Sequence, residues 1–356
     1  MPTRHSLICL CIVAIALHAC CEEKLSAPNA PQWENVSNEF YKSIGVYDMK
    51  SAFMRRTVGM AVAPTGDVFV LTTGPGICAS KDHGKTWSVV PDNKITGRCE
   101  TGFGSTIAYP YDGRVAFFTI DGTGGVTLDA GQTWRPFARI VRNFDFADID
   151  WSTKDPQTIL GLAHEPYFTV LSTNGGRAFQ QIYKEAEAPN AVQKTTKQYR
   201  FGLFDADTLL RYHPDAGVIA TSTDAGKTWN DGPKFKLLGR RPSHFGKNIY
   251  WTTSDGVIMS ENGKDWKRIG SEMPQAFFGP FFGNSESEMM VVTEKGFFIT
   301  RDGAKTWTNV APLFLVPDGY AKKIDAFGSF MYFGWDAANN ILYASQLGGS
   351  CFRLKL

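Results

Sequence analysis

Neither C-x-x-C nor H-E-x-x-H occurs in the 356 residues, and only six histidines are present, so the chain offers no recognisable zinc site. An excess of charge is also missing. Lys and Arg number 37 against 35 Asp and Glu, a formal +2, which removes the electrostatic case for a dedicated nucleic-acid binder. Long apolar runs are absent too: no segment approaches the roughly 18 consecutive residues of a transmembrane helix. At 43% hydrophobic and 20% charged, the composition is that of an ordinary globular protein. Two residue types are in surplus, 35 glycines and 9 tryptophans, which together suggest many tight turns each closed by a large aromatic.

The amino terminus reads as a targeting segment. Arg4 and His5 precede the apolar run Leu7–Leu17, too short to span a bilayer but suited to a signal-peptide core. The run ends in Leu17-His18-Ala19-Cys20, which resembles the lipobox of bacterial lipoproteins, with Cys20 as the lipidated residue. The expected division is a signal peptide at 1–19, a polar tether at 20–48 with a strand near 39–47 that could join the fold, and a repeat domain at 49–356. The resemblance implies an exported lipoprotein whose membrane contact is its lipid anchor, with plain secretion as the alternative. In that oxidising compartment Cys78 and Cys99, flanking one strand-turn-strand unit, are the expected disulfide, and two separate buried thiols are the alternative.

An internal repeat decides the fold. Ser80–Trp87 (SKDHGKTW) returns as Thr127–Trp134 (TLDAGQTW), Ser172–Phe179 (STNGGRAF) and Ser222–Trp229 (STDAGKTW). Distorted copies follow at Ser260–Trp266 (SENGKDW) and Thr300–Trp307 (TRDGAKTW), and a seventh, Ser345–Phe352 (SQLGGSCF), keeps a serine, a glycine and the final aromatic. Their starts are 47, 45, 50, 38, 40 and 45 residues apart. Each phrase lies between β-like runs, so it reads as a hairpin turn in which Ser or Thr and Asp accept from turn N–H groups and Gly supplies a positive φ. Two further short runs precede each phrase. Four strands at this period predict an all-β fold: a seven-bladed β-propeller of four-stranded antiparallel blades. Gly84-Lys85-Thr86 and Gly226-Lys227-Thr228 mimic the end of a P-loop, but Ala79 and Thr221 stand where its first glycine is required.

These phrases resemble the Asp-box, or BNR, repeat of sialidases, xyloglucan-degrading propeller hydrolases, sortilin-type receptors and photosystem II assembly propellers. The resemblance spans nearly all of the chain beyond the tether. It implies that the box turns lie opposite the binding face and that Asp82, Asp129, Asp224, Asp302 and His83 are structural. The sialidase pattern also requires an F/Y-R-I-P motif, and the nearest stretch, Phe53-Met54-Arg55-Arg56, lacks the Ile-Pro.

Propeller ligands bind where the loops joining second and third strands meet the loops between blades. Those loops supply the catalytic candidates His164, Glu165, Arg211, Tyr212 and His213. They also supply the ligand-binding candidates Tyr167, Arg98, Arg142, Arg240, Arg241, His244 and Trp335, the last for stacking on a sugar. Arginine at such a rim favours carboxylated or sulfated ligands. Histidine or tyrosine beside arginine suits proton abstraction next to a neutralised carboxylate, as in a polysaccharide lyase. A hydrolase would need two positioned carboxylates, for which Asp121, Glu165, Asp215, Asp255, Glu294 and Asp336 are available. The expected function is binding, and conceivably cleavage, of an anionic extracellular glycan by a monomer that needs no cofactor. The competing reading is a non-enzymatic scaffold for a cell-envelope protein.

Overall fold

The computed structural model describes residues 33–36, 40–42, 45, 57–63, 66–72, 74–91, 94–99, 107–108, 112–140, 144–163, 168–183, 200–273, 275–312, 331–346 and 351–356. Within them the strands form seven antiparallel sheets of four. Blade 1 comprises Thr57–Val62, Val68–Thr72, Gly76–Ser80 and Ser88–Val89, and blade 2 Ile107–Ala108, Val115–Phe117, Gly125–Thr127 and Arg135–Pro136. Blade 3 comprises Phe144–Ile149, Ile159–Ala163, Thr169–Ser172 and Gln180–Tyr183, and blade 4 Arg200–Leu203, Leu209–His213, Val218–Ser222 and Asn230–Lys234. Blade 5 comprises Ser243–Phe245, Asn248–Thr253, Gly256–Ser260 and Lys267–Ile269, and blade 6 Phe278–Phe282, Met289–Thr293, Gly296–Thr300 and Thr308–Ala311. The protein is a seven-bladed β-propeller.

First strands of successive blades touch, for example those of blades 3 and 4 and of blades 7 and 1, so the first strand is the innermost. Burial follows from that arrangement. Second and third strands are covered on both faces by neighbouring blades and are buried at every residue in Val68–Thr72, Gly76–Ser80, Ile159–Ala163 and Met289–Thr293. They therefore read as continuous apolar runs instead of alternating ones. The outermost strand of blade 4, Asn230–Lys234, is mostly exposed and polar.

Blade 7 closes the ring. Its first three strands are Met331–Asp336, Ile341–Gln346 and Cys351–Lys355, and its outermost strand is Glu34–Asn35 from the other end of the chain. Glu34 pairs with Arg353 and Asn35 with Phe352, while Phe40 packs its ring on Trp87 at 4.9 Å. Part of the segment expected to be a tether is thus built into the fold, and the joining strand lies at 34–35 rather than within 39–47. The expected seventh turn is corrected as well. Ser345 to Phe352 spans the connection between the second and third strands of blade 7. Since the fourth strand arrives from residues 34–35, no turn links it to the third.

Antiparallel alternation gives the ring two ends. The first-to-second and third-to-fourth connections emerge at one, the turn end; the second-to-third and blade-to-blade connections emerge at the other, the loop end. At the turn end the repeated phrase forms a fixed hydrogen-bond set. In blade 4, Ser222 Oγ donates to Asp224 Oδ1 at 2.8 Å and accepts from Gly226 N at 2.9 Å. Asp224 accepts from Thr228 N at 2.9 Å and Thr228 Oγ1 at 2.6 Å, and the Trp229 indole donates to Gly226 O at 3.1 Å. These donors, led by Thr228, hold the Asp224 carboxyl down at about 2. Thr306 and Thr300 bring Asp302 to about 2 in the same way. At Asp82 partial burial opposes the effect, and donors from Thr86, Ser80 and Lys85 still lower it to about 2.

Candidate functional site

The catalytic candidates of blade 4 do not converge. Leu209–His213 is a strand through its last residue, so successive side chains leave on opposite faces of the sheet. Arg211 lays its guanidinium over the Trp229 ring, 4.3 Å from the centroid. Tyr212, 2% exposed, points the other way; its hydroxyl accepts from Leu237 N at 3.2 Å and its ring lies beneath Arg200. His213 Nδ1 accepts from Ala216 N at 3.2 Å and closes its own turn. Tyr212 is a core residue, not an acid–base group in a loop.

Trp335 is also misplaced by the sequence reading. It belongs to the innermost strand of blade 7, is 1% exposed and is covered by Arg301, so it cannot stack on a sugar. Asp336 ends that strand at the turn end. It is fully buried and accepts from Asn339 N at 3.1 Å, while its Oδ2 lies 2.9 Å from His83 Nδ1, tying blade 7 to the turn of blade 1. The expected Cys78–Cys99 disulfide is corrected: both are thiols. Cys78 is held opposite Val70 and Val89, and burial pushes its thiol up to about 12. Cys99 packs where Gly59 meets the Phe117 ring. Arg98 exchanges backbone hydrogen bonds with Ile120, at 3.1 and 2.7 Å, as a one-residue bridge to blade 2. Cys20, Arg142, His164, Glu165 and Tyr167 lie outside the described residues.

Arg240, Arg241 and His244 do gather. Arg240 and Arg241 sit on the connection from blade 4 into blade 5, where Leu238 N and Gly239 N both donate to Thr252 O, holding this stretch against the second strand of blade 5, and His244 lies in the first strand of blade 5 opposite Ile249. Arg241 Nη1 is 3.5 Å and His244 Nε2 3.6 Å from the two oxygens of Asp148, a fully buried carboxylate on the innermost strand of blade 3. Asp148 also accepts from Leu203 N at 2.9 Å and Ile149 N at 3.0 Å. One carboxylate thereby links blades 3, 4 and 5. His244 Nε2, in a residue 5% exposed, has no hydrogen-bond partner among the described residues.

Arg200 begins the innermost strand of blade 4 at the loop end, three residues before the Leu203 that donates to Asp148. Its guanidinium donates to Leu237 O and lies 5.4 Å from the Tyr212 ring centroid. Burial and the neighbouring charge of Arg240 pull it down to about 10. Sequence reading missed both Asp148 and Arg200. Arg200 and Arg240 bring two positive charges together between blades 4 and 5, while Arg241 and His244 turn to the buried Asp148.

No family model matches the chain, and no curated protein matches it. Among solved structures it is similar to virginiamycin B lyase from Staphylococcus aureus, with 11% identity over 92% of this chain and 99% of that one and a TM-score of 0.49. It is similar to YCF48 bound to D1 peptide, with 11% identity, 85% and 92% coverage and a TM-score of 0.44. An ancestral GH74 enzyme gives 12% identity over 85% of this chain and 48% of that one, at a TM-score of 0.46. Likenesses at this level say nothing about substrate or partner.

Proposed function

We propose that the protein is an exported propeller of the Asp-box type, anchored by lipid at Cys20 and monomeric, that binds an anionic glycan at its loop end. The observation that carries this reading is the pair Arg200 and Arg240, one beginning the inner strand of blade 4 and one on the connection into blade 5. Arg200 and Arg240 are close enough for each to disfavour the other's charge. A ligand carboxylate or sulfate would relieve that repulsion and accept the forked donors of a guanidinium. The described residues support binding ahead of cleavage, because Tyr212, His213 and Arg211 are each engaged in the fold.

Calorimetric titration with a uronate oligosaccharide and with its carboxyl-reduced counterpart tests the reading. Binding of the uronate alone is expected, with roughly tenfold or greater weakening in Arg240→Ala and a further loss at high salt. Equal binding of both saccharides, or indifference to Arg240→Ala, would reject it. The same uronates, monitored for an unsaturated product, decide whether cleavage accompanies binding.

A further inference from the structure

The chain entering blade 5 is fastened on both sides of Arg240. Ahead of it, Leu237 N donates to the Tyr212 hydroxyl and Leu237 O accepts from Arg200, so both backbone polar groups of Leu237 are gripped by side chains of blade 4. Leu238 N and Gly239 N donate to Thr252 O at 3.0 and 3.2 Å, and Gly239 O accepts from the Trp251 indole at 2.8 Å. Beyond Arg240, Arg241 Nη1 faces Asp148 Oδ1 at 3.5 Å and His244 Nε2 faces Asp148 Oδ2 at 3.6 Å. Pro242, between them, lies so close to the inner strand of blade 4 that a Cβ built on Gly202 would fall 2.5 Å from its Cγ. Arg240 stands between the two anchored stretches.

The two anchors act differently. The first is made of hydrogen bonds to the main chain and fixes its path. The second draws two side chains onto one fully buried carboxylate, which also accepts from Leu203 N and Ile149 N. Arg200 and Arg240, meanwhile, are close enough to disfavour each other's charge. Unopposed, that repulsion would carry Arg240 away from Arg200, because a blade connection yields before a packed inner strand does. Asp148 supplies the opposing attraction one residue along the chain. Arg241 cannot follow Arg240 outward without leaving a buried carboxylate short of its counter-charge, which is strongly unfavourable.

We infer that Asp148 is a positioning residue for anion binding: by holding Arg241 and His244 it keeps Arg240 beside Arg200, so that two guanidiniums together receive a carboxylate or sulfate. The inference rests on the uronate-binding reading above and adds to it a residue from another blade. Assembly of the donors before the ligand arrives lowers the cost of binding, since the ligand does not have to order them itself. The role also fixes the sign of an effect. Asp148 is itself negative, so by charge alone its neutralisation should tighten the binding of an anion; as a positioning residue, its neutralisation should loosen it.

Calorimetric titration of the full chain with the same uronate oligosaccharide separates the two. Asp148→Asn is expected to bind roughly threefold or more weakly, and to have no further effect in the Arg240→Ala background, where the side chain it positions is gone. The dependence of its affinity on salt should flatten to that of Arg240→Ala. Asp129→Ala, which weakens a turn of blade 2, should leave affinity unchanged and so separates positioning from a general loss of stability. If Asp148→Asn does not fold, Arg241→Gln enters the same cycle, with non-additivity against Arg240→Ala again expected. Unchanged or tighter binding by Asp148→Asn, losses that add in the double variant, or equal weakening by Asp129→Ala would overturn the inference. Failure of the unaltered chain to bind the uronate, or its indifference to Arg240→Ala, would instead reject the binding reading, and the role of Asp148 with it.

Discussion

The repeated turns and the inner strands treat charge in opposite ways. In the repeated turns the carboxylates are satisfied locally: Asp224 takes its donors from residues within four positions of itself, and Asp82 and Asp302 repeat the pattern. On the inner strands the charges are brought together from three blades onto a buried group, with Asp148 facing Arg241 and His244 across 3.5 and 3.6 Å. Local satisfaction can be copied from blade to blade, because nothing outside the turn is needed. The buried cluster depends on blades 3, 4 and 5 at once and occurs at one place among the described residues. The first kind of site builds the ring; the second differentiates one sector of it.

Removing Asp148 should therefore produce the largest effect. Asp148→Ala leaves Arg241 and His244 without their shared counter-charge and Leu203 N without its acceptor. Breaking a buried ion pair from one side is expected to lower stability by about 3–5 kcal/mol. Denaturant unfolding followed by tryptophan fluorescence measures it. A loss below about 1 kcal/mol would mean the cluster is solvated and the two kinds of site are not different.

Acid should act on the repeated turns first. Asp82, Asp224 and Asp302 have carboxyls lowered from 3.8 to about 2 in the folded protein. Groups depressed on folding contribute stability that is present above about 3.8 and is lost as pH falls towards 2. Unfolding midpoints should be flat down to about pH 4 and then decline, with a shallower decline when Asp224→Asn removes one of the three. For a single turn, Asp129→Ala deletes the acceptor for Thr133 N, Thr133 Oγ1 and Thr127 Oγ1. That should lower stability by about 1–2 kcal/mol in the same unfolding assay, clearly less than Asp148→Ala.

The contrast also explains what could be read from the sequence. The turn phrase encodes its own structure within eight residues, so the fold and six blade turns were legible. The seventh phrase misled because Ser345, its glycines and Phe352 satisfy the pattern while lying one strand early, and nothing local reveals that Glu34–Asn35 supplies the missing edge. Trp335 was assigned to a loop by the same one-strand slip. On the way into blade 5, Arg240, Arg241 and His244 were named from position alone. Asp148 escaped notice because Phe144–Ile149 reads as an ordinary inner strand, and a buried carboxylate there is intelligible only when blade 5 is seen against it. Arg211, Tyr212 and His213 looked like a cluster because they are adjacent; a strand that runs through His213 turns that adjacency into separation.

The smallest effect tests whether the turns are governed by backbone geometry, as their repetition implies. Ala225 sits at φ +59°, and the equivalent positions hold Ala130 at +54°, Gly175 at +68° and Gly303 at +72°. An L-residue in this region is strained by about 1–2 kcal/mol, whereas glycine enters it freely but adds about 0.5–1 kcal/mol of unfolded-state entropy. Ala225→Gly should thus stabilise the protein by about 0.5–1 kcal/mol, seen as a rise of roughly 1–2 °C in the thermal midpoint. Gly226→Ala, one residue on at φ +84° and buried, should shift the midpoint the other way. If both variants move it in the same direction, side-chain packing at the seam outweighs backbone strain in setting turn stability, and the turns would then depend on neighbouring blades as the inner-strand cluster does.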